Sequence, residues 1–221
     1  MPASSDQIAR KRAPRMRDPE STRQKILHSA FLEIYRRGFQ AASLDRILAD
    51  AGVTKGALYH HFPDKAWLGY AVVDEVIRDH LLDRWLGPLA KGADDPLTSL
   101  QQAFRIRAKS VQPHEVELGC PLNNLAQEMS PLDEEFRERI ETVFDQWREG
   151  FTDAIERAKA RGIVRKDVNS RQIATFLVAA AEGSFGLAKN ARSMEMFRSN
   201  MEALAMYLDT LRVPSRLRGR A

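Results

Sequence analysis

One cysteine, Cys120, occurs among the 221 residues of this sequence, so the chain cannot form an internal disulfide. Small secreted domains are commonly held together by paired cysteines, and a chain without them suits a reducing compartment. This scarcity predicts a cytoplasmic protein whose fold is stabilised by a hydrophobic core.

Long apolar runs are also missing. The longest candidate, residues 176–181, is interrupted by Glu182 and falls far short of the ~18 apolar residues of a membrane-spanning helix. Residues 1–18 are rich in arginine and contain no apolar stretch, so we expect a flexible basic arm and not a signal peptide. The sequence therefore predicts a soluble protein without a membrane partner.

Metal-ligand spacing and strand patterns are absent as well. His60 and His61 are adjacent, while His28, His80 and His114 are dispersed, with no cysteine or carboxylate at a ligand spacing. We therefore predict neither a metal site nor a bound cofactor. Strand signals are missing throughout the sequence, which predicts an all-α fold.

Positive charge is concentrated near the start of the chain. Residues 1–63 contain eleven Lys or Arg against six Asp or Glu, a balance of +5, whereas the remainder contains 23 against 24, a balance of −1. This distribution is typical of nucleic-acid binding. Whether Arg10, Lys11, Arg12 and Arg15 enter a minor groove or only solubilise the terminus stays open, and the basic tail at residues 213–221 is interpreted as a frayed end.

Residues 43–65 carry the strongest local signals. Ser43 precedes an apolar-periodic run and is predicted to cap a short helix. Gly52 can adopt the left-handed conformation that ends this helix, and Thr54 can cap a second helix two residues later. Two helices so close in sequence must cross steeply, which is the arrangement of a helix-turn-helix.

The second of these helices is polar where a structural helix of its length would be apolar. Lys55 can reach a phosphate or a base edge, and Tyr59 and His60 can reach oxygens of the DNA backbone. Lys65 at the start of the next helix can hold another phosphate. A solvated helical hairpin is the alternative, but it would need neither caps and a turn glycine nor aromatic donors in one register. Double-stranded DNA is therefore the predicted partner.

Residues 22 to about 68 resemble the DNA-binding domain of the TetR family of bacterial transcriptional regulators. The resemblance rests on Thr22, Arg23, Ile26, Ala30, Phe31, Gly38, Phe39, Ser43, Ile47, Ala51, Gly52, Val53, Thr54, the run Lys55–Phe62 and Lys65. Leu48 and Asp64 depart from the Ala and the Ser or Asn that are common in the family, and neither change alters a hydrogen-bond donor.

This resemblance implies an all-α protein with an N-terminal helix-turn-helix domain of three helices, residues 19–66, and a larger C-terminal helical domain, residues 67–212, for ligand binding and dimerisation. It also implies a palindromic operator. The residues that it assigns to DNA binding are Ser43, Thr54, Lys55, Gly56, Tyr59, His60 and Lys65.

Beyond residue 65 the apolar spacing predicts helix after helix. One long helix should run from Lys65 to about Leu89 and end at Gly87-Pro88. Further helices are expected at about residues 97–112, 122–129 and 133–161, with a loop at 164–168.

The last two helices predict a second copy of the chain as a partner. Residues 170–191 carry the small residues Ala179, Ala180, Ala181, Gly183, Ser184 and Gly186, and the final helix carries the apolar stripe Phe197, Met201, Leu204, Ala205, Leu208 and Leu211. Part of each helix must pack on the chain's own core. The family resemblance implies that together they form a four-helix bundle in a homodimer, which would read two half-sites.

The C-terminal domain is expected to bind an inducer, either a small molecule or a thiol-reactive compound, that releases the DNA by moving the helix at residues 65–89. The candidate ligand-binding residues are Cys120, Trp85, Phe104, His114, Trp147 and Phe185. Aromatic residues at helical spacing more often form a core than a ligand site, so that alternative stays open for most of them.

Cys120 precedes Pro121 and should lie at a helix N-terminus, a position that lowers a cysteine pKa and favours the reactive thiolate. Residues 119–129 resemble a segment of a TetR subgroup that includes electrophile- and oxidant-responsive regulators. A buried cysteine that acts as a small hydrophobe is the alternative.

Two other functions are the alternatives to a ligand-responsive regulator. An enzyme with Cys120 as nucleophile and His114 as base would lack a glycine-rich oxyanion turn and a strand scaffold, so we predict that the protein is not an enzyme. An architectural DNA-binding protein without a ligand stays possible, and an internal cavity would count against it.

Overall fold

The computed structural model describes residues 19–90 and 94–214, which form eleven α-helices and one π-helical segment. In chain order these are α1 (Pro19–Arg37), α2 (Leu44–Ala51), α3 (Lys55–His61), α4 (Lys65–Ala71), the π segment (Val72–Ile77), α5 (Arg78–Ala90), α6 (Pro96–Ser110), α7 (Pro113–Leu118), α8 (Pro121–Met129), α9 (Glu134–Ala160), α10 (Ser170–Ala191) and α11 (Met194–Asp209). The all-α prediction is confirmed. The basic arm at residues 1–18 and residues 215–221 of the tail lie outside the described part of the chain.

Helices α1 to α3 form the N-terminal three-helix unit, which we call the reading head. Its core joins the three helices through Ile26, Ala30, Ile47 and Leu58, all of which are buried. Glu33 of α1 fixes the start of α2, because its carboxylate accepts from the Ser43 backbone N–H at 3.2 Å and from Arg46 at 2.6 Å.

A nearly continuous helical rod, α4, the π segment and α5, connects the reading head to the rest of the chain. It does not end at Gly87-Pro88 as predicted, because Pro88 lies in the last turn of α5. At that position the missing backbone N–H of proline costs the helix only one hydrogen bond. Gly69 lets the rod pack closely, since a Cβ at this position would come within 2.5 Å of the Phe39 ring.

Helices α6 to α11 form the larger C-terminal bundle, whose core is continuous with that of the reading head. Helix α9 begins where it was predicted, with Asp133 as its N-cap and the Phe136 N–H as the donor at 3.1 Å. Helix α6 ends at Ser110, and α7 was not predicted, because six residues are too few for a helical apolar period to show. The Gln112 backbone N–H donates to the Glu115 carboxylate at 2.8 Å, as in a capping box, and that spacing was the local signal that could have found α7.

Across residues 19–90 and 94–214, no helix combines the length and apolar character needed to cross a bilayer.

Candidate functional site

The local geometry of the helix-turn-helix follows the sequence signals. Ser43 caps α2 by accepting from the Arg46 N–H at 3.4 Å, and Thr54 caps α3 by accepting from the Ala57 N–H at 3.3 Å. Between them Gly52 has a φ of 63°, a left-handed conformation that glycine adopts without strain. The predicted caps and turn are confirmed.

The outward face of α3 is exposed and polar. Leu58 anchors this helix in the core, whereas Lys55, Gly56, Tyr59 and His60 face solvent. The Lys55 Nζ lies 5.9 Å from the centroid of the Tyr59 ring, so the cation and the phenol share one surface. A Cβ at Gly56 would meet nothing within 4 Å, which leaves the backbone open to close approach.

Lys65 lies at the start of α4, where it is bonded to the protein itself. Its Nζ donates to the Gln40 carbonyl at 3.0 Å and lies 4.9 Å from the Phe39 ring centroid. Partial burial lowers the pKa of this ammonium. Asp64 caps the helix by accepting from the Trp67 N–H at 3.0 Å, which is the role that Ser or Asn can also perform.

A cavity of about 460 Å³, which we call the sensor cavity, lies where α1, α5, α6, α7, α10 and the start of α8 meet. Helix α1 contributes Phe31 and Tyr35 to its wall, and α5 contributes Leu81 and Trp85. The volume falls within the ~300–1,000 Å³ that small-molecule sites occupy. The reading head and the C-terminal bundle therefore share one cavity.

Four of the six predicted ligand residues line this cavity: Trp85, His114, Cys120 and Phe185. Phe104 and Trp147 do not. Both are fully buried behind Trp85, whose ring centroid lies 5.3 Å from that of Phe104 and 4.8 Å from that of Trp147. Their prediction as ligand contacts is wrong, because helical spacing cannot tell a core position from a cavity wall.

Charged residues that were not predicted form a network in the cavity wall. Glu115 of α7 accepts from Arg84 of α5 and, at 3.1 and 3.3 Å, from both terminal nitrogens of Arg107 of α6. The arginines hold the pKa of Glu115 below its usual value despite burial, which acts in the opposite direction. No local pattern marks this network, since its members come from three helices.

Cys120 lies at the N-terminus of α8 as predicted, but its thiol is not activated. Burial raises the pKa of the thiol well above its usual value, and the nearby carboxyl of Glu182 on α10 raises it further. The predicted lowering of the Cys120 pKa is therefore wrong, because desolvation outweighs the helix N-terminus. Burial also raises the pKa of Glu182, to about 7, and outweighs the neighbouring Cys120 and Arg107, which act in the opposite direction.

The segment that leads into α8 and the last turn of α8 are hydrogen-bonded to the end of α1 and to the turn that follows α1. The Tyr35 hydroxyl donates to the Gly119 carbonyl at 2.5 Å, next to Cys120. At the other end of α8, the Glu128 carboxylate accepts from the backbone N–H groups of Phe39 and Gln40, both at 2.8 Å. These contacts join the cavity wall directly to the reading head.

Within residues 19–90 and 94–214, helices α10 and α11 leave an apolar face uncovered. On α10, Phe176, Ala179, Gly183 and Leu187 follow helical spacing and are exposed, and a Cβ at Gly183 would meet nothing within 4 Å. The Phe176 ring packs on Tyr207 of α11 at 5.2 Å, which joins the two helices into one surface.

The predicted stripe of α11 is not part of this surface. Its six residues, Phe197, Met201, Leu204, Ala205, Leu208 and Leu211, are buried in the chain's own core, so an intermolecular role for the stripe is wrong. The exposed apolar side chains of α11 are instead Met196 and Met206.

Both the N-terminal and the C-terminal part of the chain match models of known protein families. The family model described as "Bacterial regulatory proteins, tetR family" matches residues 26–69, and the model described as "Tetracyclin repressor-like, C-terminal domain" matches residues 96–204. Together the matches cover the helix-turn-helix and most of the C-terminal bundle.

Individual relatives are similar in sequence to this chain over most of their own length. The chain is 28% identical to the HTH-type transcriptional repressor DhaR of Mycobacterium sp. (strain GP1), over 78% of this chain and 85% of that protein. It is also 28% identical to the transcriptional regulator AcuR of Cereibacter sphaeroides, over 85% of this chain and 86% of that protein. A crystal structure of a TetR transcriptional regulator from Chloroflexus aurantiacus superposes with a TM-score of 0.78 at 26% identity, covering 90% of this chain and all of that one. The chain therefore belongs to the TetR family and is a DNA-binding transcriptional regulator.

Proposed function

We propose that this protein is a repressor that binds a palindromic operator as a homodimer and releases it when a small molecule enters the sensor cavity. The observation that carries this proposal is the composition of the cavity wall, to which α1 of the reading head, α5 of the rod and four helices of the C-terminal bundle contribute. An occupant would therefore contact both parts at once. An architectural protein without a ligand would have no use for such a cavity.

On the DNA side, the exposed face of α3 is assigned to the major groove. Lys55 would contact phosphate or a base edge, Tyr59 and His60 would contact backbone oxygens, and Gly56 would allow close approach. Ser43 and Thr54 lie at the starts of α2 and α3, where backbone and hydroxyl groups can meet the phosphate chain. Lys65 would exchange the Gln40 carbonyl for a phosphate.

Dimerisation is assigned to the apolar face of α10 and α11. Exposed side chains such as Phe176, Leu187 and Met206, together with the open backbone at Gly183, suit close packing against the same face of a second copy. In this proposal residues 19–66 read DNA, and residues 67–212 sense the ligand and dimerise.

Coupling between the two functions requires that the inducer bind the DNA-free arrangement more tightly. The α8 contacts supply the link. Tyr35 and Glu128 tie the end of α1 to opposite ends of α8, so a ligand that displaces α8 or the rod of α4 and α5 would also displace the reading head. A change in the spacing of the two recognition helices would then release the operator.

A reversible ligand fits the site better than a thiol-reactive inducer. Cys120 is only 5% exposed, and its pKa is raised, whereas attack on an electrophile needs the thiolate. The same property argues against a Cys120/His114 enzyme. Operator release by quinones, aldehydes and hypochlorite should accordingly be equal in the parent protein and Cys120→Ser.

The central test combines light scattering with footprinting on DNA selected from a random pool. We expect a dimer that protects two symmetric half-sites centred about one helical turn apart, or a small multiple of it. A monomer that binds one asymmetric half-site tightly would overturn the proposal. Operator binding that no small molecule releases would overturn the ligand-responsive part alone.

A further inference from the structure

Basic side chains outnumber acidic ones in the wall of the sensor cavity. Arg36, Arg84 and Arg107 line it, and Glu115 is the one carboxylate that does so among the described residues. Glu182 lies behind Cys120 and is largely protonated below about pH 7, because burial raises its pKa to about 7. The cavity therefore carries an excess of positive charge that the protein itself does not neutralise.

The single carboxylate is already saturated with donors. Glu115 accepts from Arg84, from both terminal nitrogens of Arg107 and from the Gln112 backbone N–H. Two arginines thus share one acid, and a carboxylate has few acceptor positions left after four donors.

Arg107 is the most confined of these cations. Its side chain is 2% exposed, and its guanidinium carbon lies 5.2 Å from the Phe185 ring centroid and 5.3 Å from that of Phe197. Its Nε has no hydrogen-bond partner in residues 19–90 and 94–214. Burial and the neighbouring Arg84 lower the pKa of Arg107, which is the direction expected for a guanidinium short of negative charge.

Arg84 is more accessible, with a side chain 30% exposed to the cavity side of α5 and to solvent. It gives one terminal nitrogen to Glu115, and its other nitrogens make no bond to the described residues. The rest of the wall near it is apolar, through Phe31, Leu81 and Trp85.

We propose that the ligand of the sensor cavity is an organic acid, whose carboxylate is held by Arg84 and Arg107 and whose apolar body packs against Phe31, Leu81, Trp85 and Phe185. An anion would balance the excess charge, whereas a cation would be repelled and a neutral molecule would leave two arginines sharing the single negative charge of Glu115. This inference rests on the proposed function, because it names the class of inducer that the same cavity takes.

The test uses matched acids and amides on the full-length protein. Benzoate, phenylacetate and octanoate are compared with benzamide, phenylacetamide and octanamide at millimolar concentration, with the melting temperature and operator release as readouts. We expect at least one of the acids to raise the melting temperature and to release operator DNA, and its amide to do neither.

Single and double variants test which residues bind the acid. Arg84→Met should weaken binding of the active acid by about tenfold or more, the scale of a lost charge-assisted hydrogen bond, and Arg84→Lys should restore part of it. Arg78→Met on the same helix is the control, since Arg78 pairs with Asp79 and does not line the cavity. The double variant Arg107→Met/Glu115→Gln removes Arg107 without leaving an excess of negative charge in the wall, and it should weaken acid binding because one of the two proposed carboxylate contacts is lost.

Three results would overturn the inference: amides as effective as acids, unchanged acid affinity in Arg84→Met, or no binding by any of the acids. Each is separable from failure of the proposed function. A protein that binds its operator and releases it with neutral compounds keeps that function and loses only the acid, whereas a protein that binds no operator loses the function itself.

Discussion

Two surfaces that the described residues leave exposed differ in chemistry. The outward face of α3 carries a lysine, a tyrosine and a histidine around an open glycine, while the outward face of α10 and α11 carries phenylalanine, leucine and methionine around small residues. A polar, cationic face suits a solvated polyanion, and an apolar face with open backbone suits a second protein surface. Solvent exposure alone therefore does not indicate the class of partner, whereas the types of the exposed side chains do.

The largest effect should come from breaking the apolar face. Leu187→Glu places a charge on a position that is 61% exposed in the single chain and lies on the face assigned to the proposed interface. We expect a monomer whose operator affinity falls about 100- to 10,000-fold, because one half-site replaces two linked ones. Size-exclusion chromatography with light scattering and a DNA titration measure both quantities.

Leu132→Glu is the matched control for that variant. Leu132 is 63% exposed and lies between α8 and α9, outside the α10–α11 face. A dimer and normal operator affinity in Leu187→Glu would place the interface elsewhere.

The next largest effect is a pH dependence of the free energy of unfolding, which we expect from Glu182 on the buried side of α10. Burial raises the Glu182 pKa to about 7 from an ordinary 4.5, so the folded protein keeps a proton that the unfolded chain loses. The associated stability is fully present below about pH 4.5 and is lost as pH rises through about 7. Relative to Glu182→Gln, which cannot ionise, the wild-type free energy of unfolding should fall by on the order of 3 kcal/mol between these limits.

Denaturant titrations of both proteins across that pH range test this expectation. Glu195→Gln, at the exposed start of α11, is the control and should track the wild type. Parallel pH profiles for wild type and Glu182→Gln would mean that the Glu182 carboxyl is ionised in the folded protein.

The link between the reading head and the bundle predicts a smaller effect. Glu128→Ala removes a carboxylate that accepts from the Phe39 and Gln40 N–H groups. We expect the free energy of unfolding to fall by about 2 kcal/mol, since two backbone donors lose charged acceptors, and operator release by ligand to weaken. Gln127→Ala, its exposed neighbour, should change neither quantity in denaturation and release assays, and an equal loss in both variants would contradict the link.

The polar face predicts the smallest change, best seen through salt. Lys65→Ala should flatten the slope of log K against log salt by roughly 2, one phosphate contact for each half-site, and weaken binding to all sequences alike. Lys55→Ala should instead alter sequence preference as well. A Lys65→Ala protein with an unchanged slope but a lower melting temperature would mean that Lys65 serves only to hold the Gln40 turn.

Local signals determined the helix-turn-helix from the sequence alone. Ser43, Gly52 and Thr54 act on backbone groups within four residues of themselves, so their effect does not depend on distant parts of the chain. The all-α class and the helix at about residues 133–161 follow from periodicity in the same way.

The tertiary structure alone decided which of these residues meet. Arg84, Arg107 and Glu115 come from three helices, and Glu128 meets Phe39 across 89 residues, so no spacing in the sequence announces either contact. Packing also buried the α11 stripe in the chain's own core and placed Phe104 and Trp147 behind the cavity. Burial raised the Cys120 pKa, although its position at a helix N-terminus favours a lower one. Desolvation depends on every neighbour that displaces water, and those neighbours are known only once the chain has folded.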